Sequence, residues 1–192
     1  MAGVYLPLLP MAHQYLVTDD VPEIYGRSVE FPHVMDPGGE SYLRQEGRGL
    51  CIGFYEQACE PWAVDGTPWD FGHELLNDQF EKIEESIAFA YKRFPILERA
   101  GVKSVIHGPF TFAPDGNPLV GPAPGLRNMW LAEGFSFGIT AAGGTGYYLA
   151  QMMVEGEAEI DTASLDPKRY GDWMTTEFAA RKNEEAYEHV YI

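Results

Sequence analysis

Residues 134–146 read Gly134-Phe135-Ser136-Phe137-Gly138-Ile139-Thr140-Ala141-Ala142-Gly143-Gly144-Thr145-Gly146. A strand candidate, 128–132, precedes this run, and a helix candidate, 147–154, follows it up to Gly156. A strand, a small-residue loop and a helix start place unpaired backbone N–H groups and the positive end of a helix dipole at one point. Glycines let a flat or anionic group approach to contact distance. Close packing of a helix on a sheet uses the same residue types, so the pattern alone leaves both readings open. It is not a dinucleotide fingerprint, because no βαβ unit with a ribose-binding acid about 20 residues on accompanies it.

Other reactive side chains form no motif. His13, His33, His73, His107 and His189 are scattered, with no HExxH or His-x3-His spacing to hold a metal. Cys51 and Cys59 lack a CxxC spacing; two free buried thiols are expected, with a disulfide as the alternative. Thirteen basic residues against twenty-nine acidic ones give a formal charge of −16, which repels phosphate backbones and argues against a nucleic-acid partner. No apolar run reaches the roughly 20 residues that span a bilayer, so no membrane role is expected.

The elements that must position these residues are legible in part. With 45% hydrophobic and 14% aromatic residues, 192 residues support a folded core. Residues 1–18 carry strand formers, with Pro7 and Pro10 expected to break them into short pieces. Residues 19–40 have turn and loop composition. Residues 41–57 predict a hairpin, with one arm from Tyr42 to Glu46, a turn at Gly47-Arg48-Gly49, and a second arm from Leu50 to Tyr55. Residues 58–73 are loop-like, with Trp62 and Trp69 available to cover apolar surface.

Leu76, Phe80, Ile83, Ile87, Tyr91 and Phe94 recur at steps of three and four and predict a helix over 74–94, stopped by Pro95. Residues 102–112 alternate as a strand. Pro114 to Pro118 is a turn, and short apolar strands follow at 119–122 and 128–132. Residues 173–189 suit a helix with few apolar positions, which packs loosely or needs a partner.

Six stretches, taken together, carry a resemblance. They are Leu9-Pro10-Met11-Ala12-His13-Gln14-Tyr15-Leu16-Val17-Thr18, Ser41-Tyr42-Leu43-Arg44-Gln45-Glu46, Gly53-Phe54-Tyr55-Glu56, Gly108-Pro109-Phe110-Thr111-Phe112-Ala113-Pro114-Asp115-Gly116, Gly134-Phe135-Ser136-Phe137-Gly138-Ile139 and Leu165-Asp166-Pro167-Lys168-Arg169-Tyr170. In this order they resemble the second half of the dimethylglycine and sarcosine dehydrogenase group, within the D-amino-acid-oxidase-like FAD-dependent oxidoreductases. The resemblance implies an α+β fold, a mostly antiparallel mixed sheet with packed helices that forms the substrate-binding and flavin-capping half. Residues 1–172 would be that half, and 173–192 a helical extension toward a further domain. It also implies a fragment, without its N-terminal nucleotide-binding half and, in the dehydrogenase branch, followed by a folate-binding domain.

The activity so implied is oxidation of N-methylated glycine, dimethylglycine or sarcosine, by hydride transfer to FAD. The alternatives are a non-catalytic binding or assembly module that keeps the fold, or another amino-acid oxidase branch. The location implied is the cytoplasm, or the mitochondrial matrix in a eukaryote.

By the same resemblance, His13 and Tyr42 lie at the substrate amine, with His13 as proton acceptor. Gly138, Ile139 and Thr140 cover the flavin, with Gly108 and Pro109 also near it. Two positions depart from the sarcosine oxidases. Gly108 stands where a cysteine attaches flavin, and Thr140 stands where a lysine binds substrate carboxylate. Arg44 is then a weak candidate for the carboxylate partner.

Overall fold

In a computed structural model, residues 2–25 and 27–191 are described, and they divide into two compact units. The first gathers residues up to Met11, Pro61–Thr67 and Phe110–Ala186; the second gathers Ala12–Glu60, Pro68–Pro109 and the residues from Tyr187 on.

The second unit is built on a five-stranded sheet of order β2-β3-β4-β1-β5. The strands are β1 (Leu9–Thr18), β2 (Val34–Asp36), β3 (Ser41–Glu46), β4 (Gly49–Phe54) and β5 (Val102–Phe112). β1 with β4, β2 with β3, and β3 with β4 all pair antiparallel. The hairpin forms where the alternation predicts it. Gly49 pairs with Glu46, so the turn is two residues, Gly47-Arg48, with Gly47 at φ 58°. Pro10 does not break β1; it sits at the second position of one ten-residue strand.

Because side chains alternate across a strand, the register sorts this sheet into two faces. Leu16, Ile52 and Leu43 stand in one row, and with Leu50 and Phe54 they form a core against Ile83 and Ala90 of the helix α1 (Phe80–Arg93). Leu16, Leu50, Ile52, Phe54 and Ile83, all buried, contribute about 1.5–3 kcal/mol each. Tyr15, Gly53 and Tyr42 stand in a row on the opposite face, and His13 shares the parity of Tyr15. In β1 the buried positions change from Leu9 and Met11 to Gln14, Leu16 and Thr18, so the strand's buried side switches at Ala12-His13.

The helix predicted over 74–94 begins only at Phe80. Tertiary hydrogen bonds hold the preceding segment extended. Leu76 N–H donates to the His107 carbonyl at 2.8 Å, and the buried Gln14 side chain grips Gln79 by donating to its carbonyl at 2.8 Å and accepting from its N–H at 3.3 Å. A backbone satisfied by partners elsewhere gains little from a helical turn.

In the first unit, β6 (Leu119–Pro122) and β7 (Trp130–Glu133) form an antiparallel pair, with α2 (Gly138–Glu155) against β6. Helix α3 (Thr176–Glu188) follows, and Leu9, Met174 and Ala179 make a small core. Arg169 donates from Nε and Nη2 to both carboxylate oxygens of Asp115, at 2.7 and 3.0 Å, tying the 114–118 turn to the 167–169 segment. The expectation of loose packing for 173–189 is not met: Ala179, Asn183 and Tyr187 are each 0% exposed. Trp69, expected to cover apolar surface, is 89% exposed instead.

Candidate active site

Four residues of the second unit form a chain of hydrogen bonds. Tyr42 Oη lies 3.1 Å from His13 Nε2, His13 Nδ1 lies 2.8 Å from Tyr187 Oη, and Tyr187 donates to Glu56 Oε2 at 2.7 Å. The tyrosine rings enclose the imidazole. Tyr55 lies 5.0 Å from His13 and 5.1 Å from Tyr187 between ring centroids, and Tyr191 meets Tyr55 edge-on at 5.2 Å.

Gly53 makes the position of Tyr42 possible. It stands opposite Tyr42 in the β3–β4 pair, and a Cβ there would collide with the Tyr42 ring. The ring lies across the glycine instead.

Burial sets the electrostatics. It lowers the His13 pKa to about 4, with the His107 imidazole adding to the shift, so His13 is neutral at pH 7. Burial pushes the Tyr42 hydroxyl far up and Tyr55 up to about 12, so both stay protonated. Burial also raises Glu56, opposed by the hydrogen bond from Tyr187. His107 Nδ1 donates to the Asn77 carbonyl at 2.5 Å, while its buried Nε2 makes no hydrogen bond among the described residues. Cys51 and Cys59 are free, buried thiols, and burial pushes Cys59 up to about 12.

In the first unit, the small-residue stretch is helix rather than loop. α2 starts at Gly138, nine residues before the predicted start at Tyr147, and takes Gly143, Gly144 and Gly146 into its interior. Each helical glycine costs about 1 kcal/mol relative to alanine, which is why propensity misplaces this start. The far end is as expected: Gly156 adopts φ 92° and donates to the Met152 carbonyl. No side chain caps the N-terminus, and Ala141 N–H to the Phe137 carbonyl opens the ladder, so the N–H groups of Gly138, Ile139 and Thr140 precede it. Ile139 is fully exposed, and nothing lies within 4 Å of a Cβ built at Gly143, Gly144 or Gly146. A cavity of about 250 Å³ is lined by Ala132, Phe135, Gly138, Ala142, Thr145 and Gly146. An open helix N-terminus beside such a cavity suits a flat ring system with an electron-rich edge, which is the fit that the pyrimidine rim of a flavin demands.

Of the residues singled out by sequence, His13 and Tyr42 are brought together. Gly108 and Pro109 lie in β5 of the second unit, whereas Gly138, Ile139 and Thr140 form the first turn of α2 in the first unit. Arg44, the weak carboxylate candidate, is paired with Glu46. Sequence reading assigned no role to Tyr187 or Glu56. The signal for Tyr187 was the spacing of Ala179, Asn183 and Tyr187 in steps of four.

One unit carries a buried imidazole–phenol face, and the other carries a glycine-rich helix start. The chain belongs to the FAD-dependent oxidoreductase family, whose sequence model matches residues 1–152; a second model, the FAD-dependent oxidoreductase central domain, matches residues 155–192. Among its relatives, mitochondrial dimethylglycine dehydrogenase of Rattus norvegicus is 41% identical over 192 residues, covering 97% of this chain and 22% of the relative. Mitochondrial sarcosine dehydrogenase of Mus musculus is 36% identical over 194 residues, covering 100% of this chain and 20% of the relative. The chain thus spans about a fifth of the length of these relatives.

Among solved structures, L-proline dehydrogenase from P. horikoshii matches with a TM-score of 0.65 at 24% identity, covering 87% of this chain and 41% of that one. Glycine oxidase from Geobacillus kaustophilus matches at 0.63 and 20%, covering 88% and 41%. These two likenesses support the α+β fold with its antiparallel sheet.

Proposed function

We propose that this chain supplies the substrate-side face and the flavin-covering helix of an FAD-dependent dehydrogenase that oxidises dimethylglycine or sarcosine. The observation that carries the reading is His13, neutral by burial and held between two tyrosine hydroxyls on a sheet face rich in aromatic residues. A methylated amine is a cation near neutral pH, and its nitrogen lone pair must be freed before hydride can leave the adjacent carbon. When bound, FAD accepts that hydride and supplies the redox chemistry.

His13 Nε2 takes the amine proton through the Tyr42 hydroxyl. The rings of Tyr42 and Tyr55 exclude water around it. The uncapped N–H groups of Gly138, Ile139 and Thr140 would hold the flavin's pyrimidine rim and stabilise negative charge there, and the family resemblance supports a position near the flavin for Gly108 and Pro109.

The identity to dimethylglycine and sarcosine dehydrogenases over nearly the whole chain supports methylated glycine as the substrate class. The length of those relatives supports further parts in the working enzyme; by the family resemblance we assign these to a nucleotide-binding half and a downstream folate-binding domain. Ile139, Tyr147, Met153 and Val154 expose an apolar side of α2, which we assign to contact with the nucleotide-binding half. Residues 173–192 are read as the extension toward the downstream domain. The names of the relatives support a mitochondrial location in a eukaryote, which we take to be the matrix.

The test is anaerobic mixing of the full-length gene product with dimethylglycine, sarcosine or glycine while flavin absorbance is followed. Bleaching by the methylated substrates is expected. Purification without flavin, or bleaching by glycine alone, would reject the reading.

A further inference from the structure

We propose that Glu56 is the terminal acceptor of a proton relay, Tyr42–His13–Tyr187–Glu56, which carries the ammonium proton of the substrate out to the acid-lined cleft beside α1. The inference rests on the reading above that His13 and Tyr42 face the amine.

The hydrogen-bond donors are ordered along this path. Tyr187 has one hydroxyl hydrogen, and its oxygen acceptors include Glu56 Oε2 at 2.7 Å and the Phe54 carbonyl at 3.3 Å. A carboxylate accepts the stronger bond, so the hydrogen points to Glu56. Tyr187 Oη therefore accepts from His13, whose Nδ1 carries the hydrogen. His13 Nε2 then bears the lone pair and accepts from Tyr42. Every donor points the same way, from Tyr42 toward Glu56.

Glu56 is the last buried group on the path, with 3% of its surface exposed. It borders a polar cleft of about 430 Å³ that is also lined by Glu40, Glu81, Lys82, Glu84 and Glu85.

In the transfer, the substrate N–H gives its proton to Tyr42 Oη. Tyr42 gives its own to His13 Nε2, His13 Nδ1–H gives one to Tyr187 Oη, and Tyr187 gives one to Glu56 Oε2. The amine is left neutral, Glu56 becomes a carboxylic acid, and His13 has exchanged tautomers with no net charge. Glu56 then releases the proton into the cleft. No redox change accompanies these steps.

The charge environment supports the direction. His13 is lowered to about 4 by burial, so a proton does not come to rest on it, whereas burial raises Glu56. The groups around Glu56 are Tyr187 from α3, His107 from β5, Cys59 from the loop after β4, Glu40 just before β3, and Lys82 with Glu81, Glu84 and Glu85 from α1.

The experiment uses the full-length holoenzyme and Glu56→Gln, which keeps an acceptor for the Tyr187 hydroxyl but cannot take a proton. Its readout is the rate of anaerobic flavin reduction by dimethylglycine, or by whichever methylated glycine the wild type oxidises, against pH. At pH 7 the variant is expected to reduce about a hundredfold more slowly with an unchanged half-saturating substrate concentration. Its rate should climb with pH as free amine accumulates in solution. Glu56→Asp should restore part of the rate, and Tyr187→Phe should show the same climbing profile.

A Glu56→Gln enzyme with the wild-type rate and pH profile overturns the relay. If that variant does not fold, Tyr187→Phe, a single-oxygen change, decides by the same criterion. A wild-type enzyme that reduces flavin while Glu56→Gln matches it rejects the relay alone. A wild-type enzyme that oxidises no methylated amine rejects the functional reading, and the relay with it.

Discussion

Tyr42 and Gly53 show how a functional side chain depends on a residue with none. The ring occupies the space over Gly53, so Gly53→Ala must push it aside. A displacement of roughly 1 Å costs on the order of a hundredfold in rate when geometry governs the reaction. Gly53→Ala in the full-length enzyme is therefore expected to bind flavin normally and to lose about a hundredfold in kcat/KM; an unchanged kcat/KM would show that Tyr42 has no positional role. In the first unit, Arg169 and Asp115 make a two-point ion pair, and hydrogen bonds from Arg169 and Tyr170 hold the Asp115 carboxyl below its usual range against the opposing effect of burial. Removing Arg169 leaves the partly buried Asp115 carboxylate without its ion-pair partner, so Arg169→Ala should cost about 1–3 kcal/mol in denaturant unfolding of the chain.

At this scale the sequence showed the residue types but not their geometry. His13 and Tyr42 stood out only through the family resemblance. Glu56 and Tyr187 lie 131 positions apart and meet through the fold alone.

At the scale of elements, the legible parts were those where local pattern and tertiary context agree. The β3–β4 hairpin combines strand alternation with a Gly47 turn, and the structure keeps it. Helix α1 was legible from Phe80 on, where Ile83, Ile87 and Ala90 face the sheet. Its supposed first turns were not, because the Gln14 clamp and the Leu76–His107 bond act from distant sequence. Helix α2 was obscured by its own glycines. They are unfavourable to a helix, yet open space surrounds three of them.

That conflict gives a prediction in which stability and function diverge. Gly146→Ala has no steric obstacle here, so it should raise the stability of the 192-residue chain by about 0.5–1 kcal/mol in denaturant unfolding. Because Gly146 lines the cavity beside the helix start, the same change should reduce the flavin content of the purified full-length protein. Stabilisation with full flavin content would move the flavin away from this face.

For the molecule as a whole, the buried imidazole links stability to acidity. The His13 pKa falls from 6.5 in the unfolded chain to about 4 in the folded one. Between these values the unfolded chain binds a proton that the folded chain does not. The stabilising contribution is complete above about pH 6.5 and is lost as pH falls toward 4. Glu56, raised by burial, works in the opposite sense, its contribution declining as pH rises through its folded value. From pH 7 to pH 5 the His13 share is about 2 kcal/mol. Urea unfolding of the chain at the two pH values should show this loss, and His13→Gln should shrink it; an equal loss in both proteins would place His13 outside the linkage.

The functional account comes down to whether a methylated amine delivers hydride to bound flavin under the control of His13. The most direct measurement is anaerobic flavin reduction by dimethylglycine in the full-length wild-type protein and in His13→Ala, at matched flavin content. The account predicts rapid bleaching in the wild type and bleaching at least about a hundredfold slower in His13→Ala. Equal rates in the two proteins, or a wild type that dimethylglycine and sarcosine leave unbleached, would contradict it.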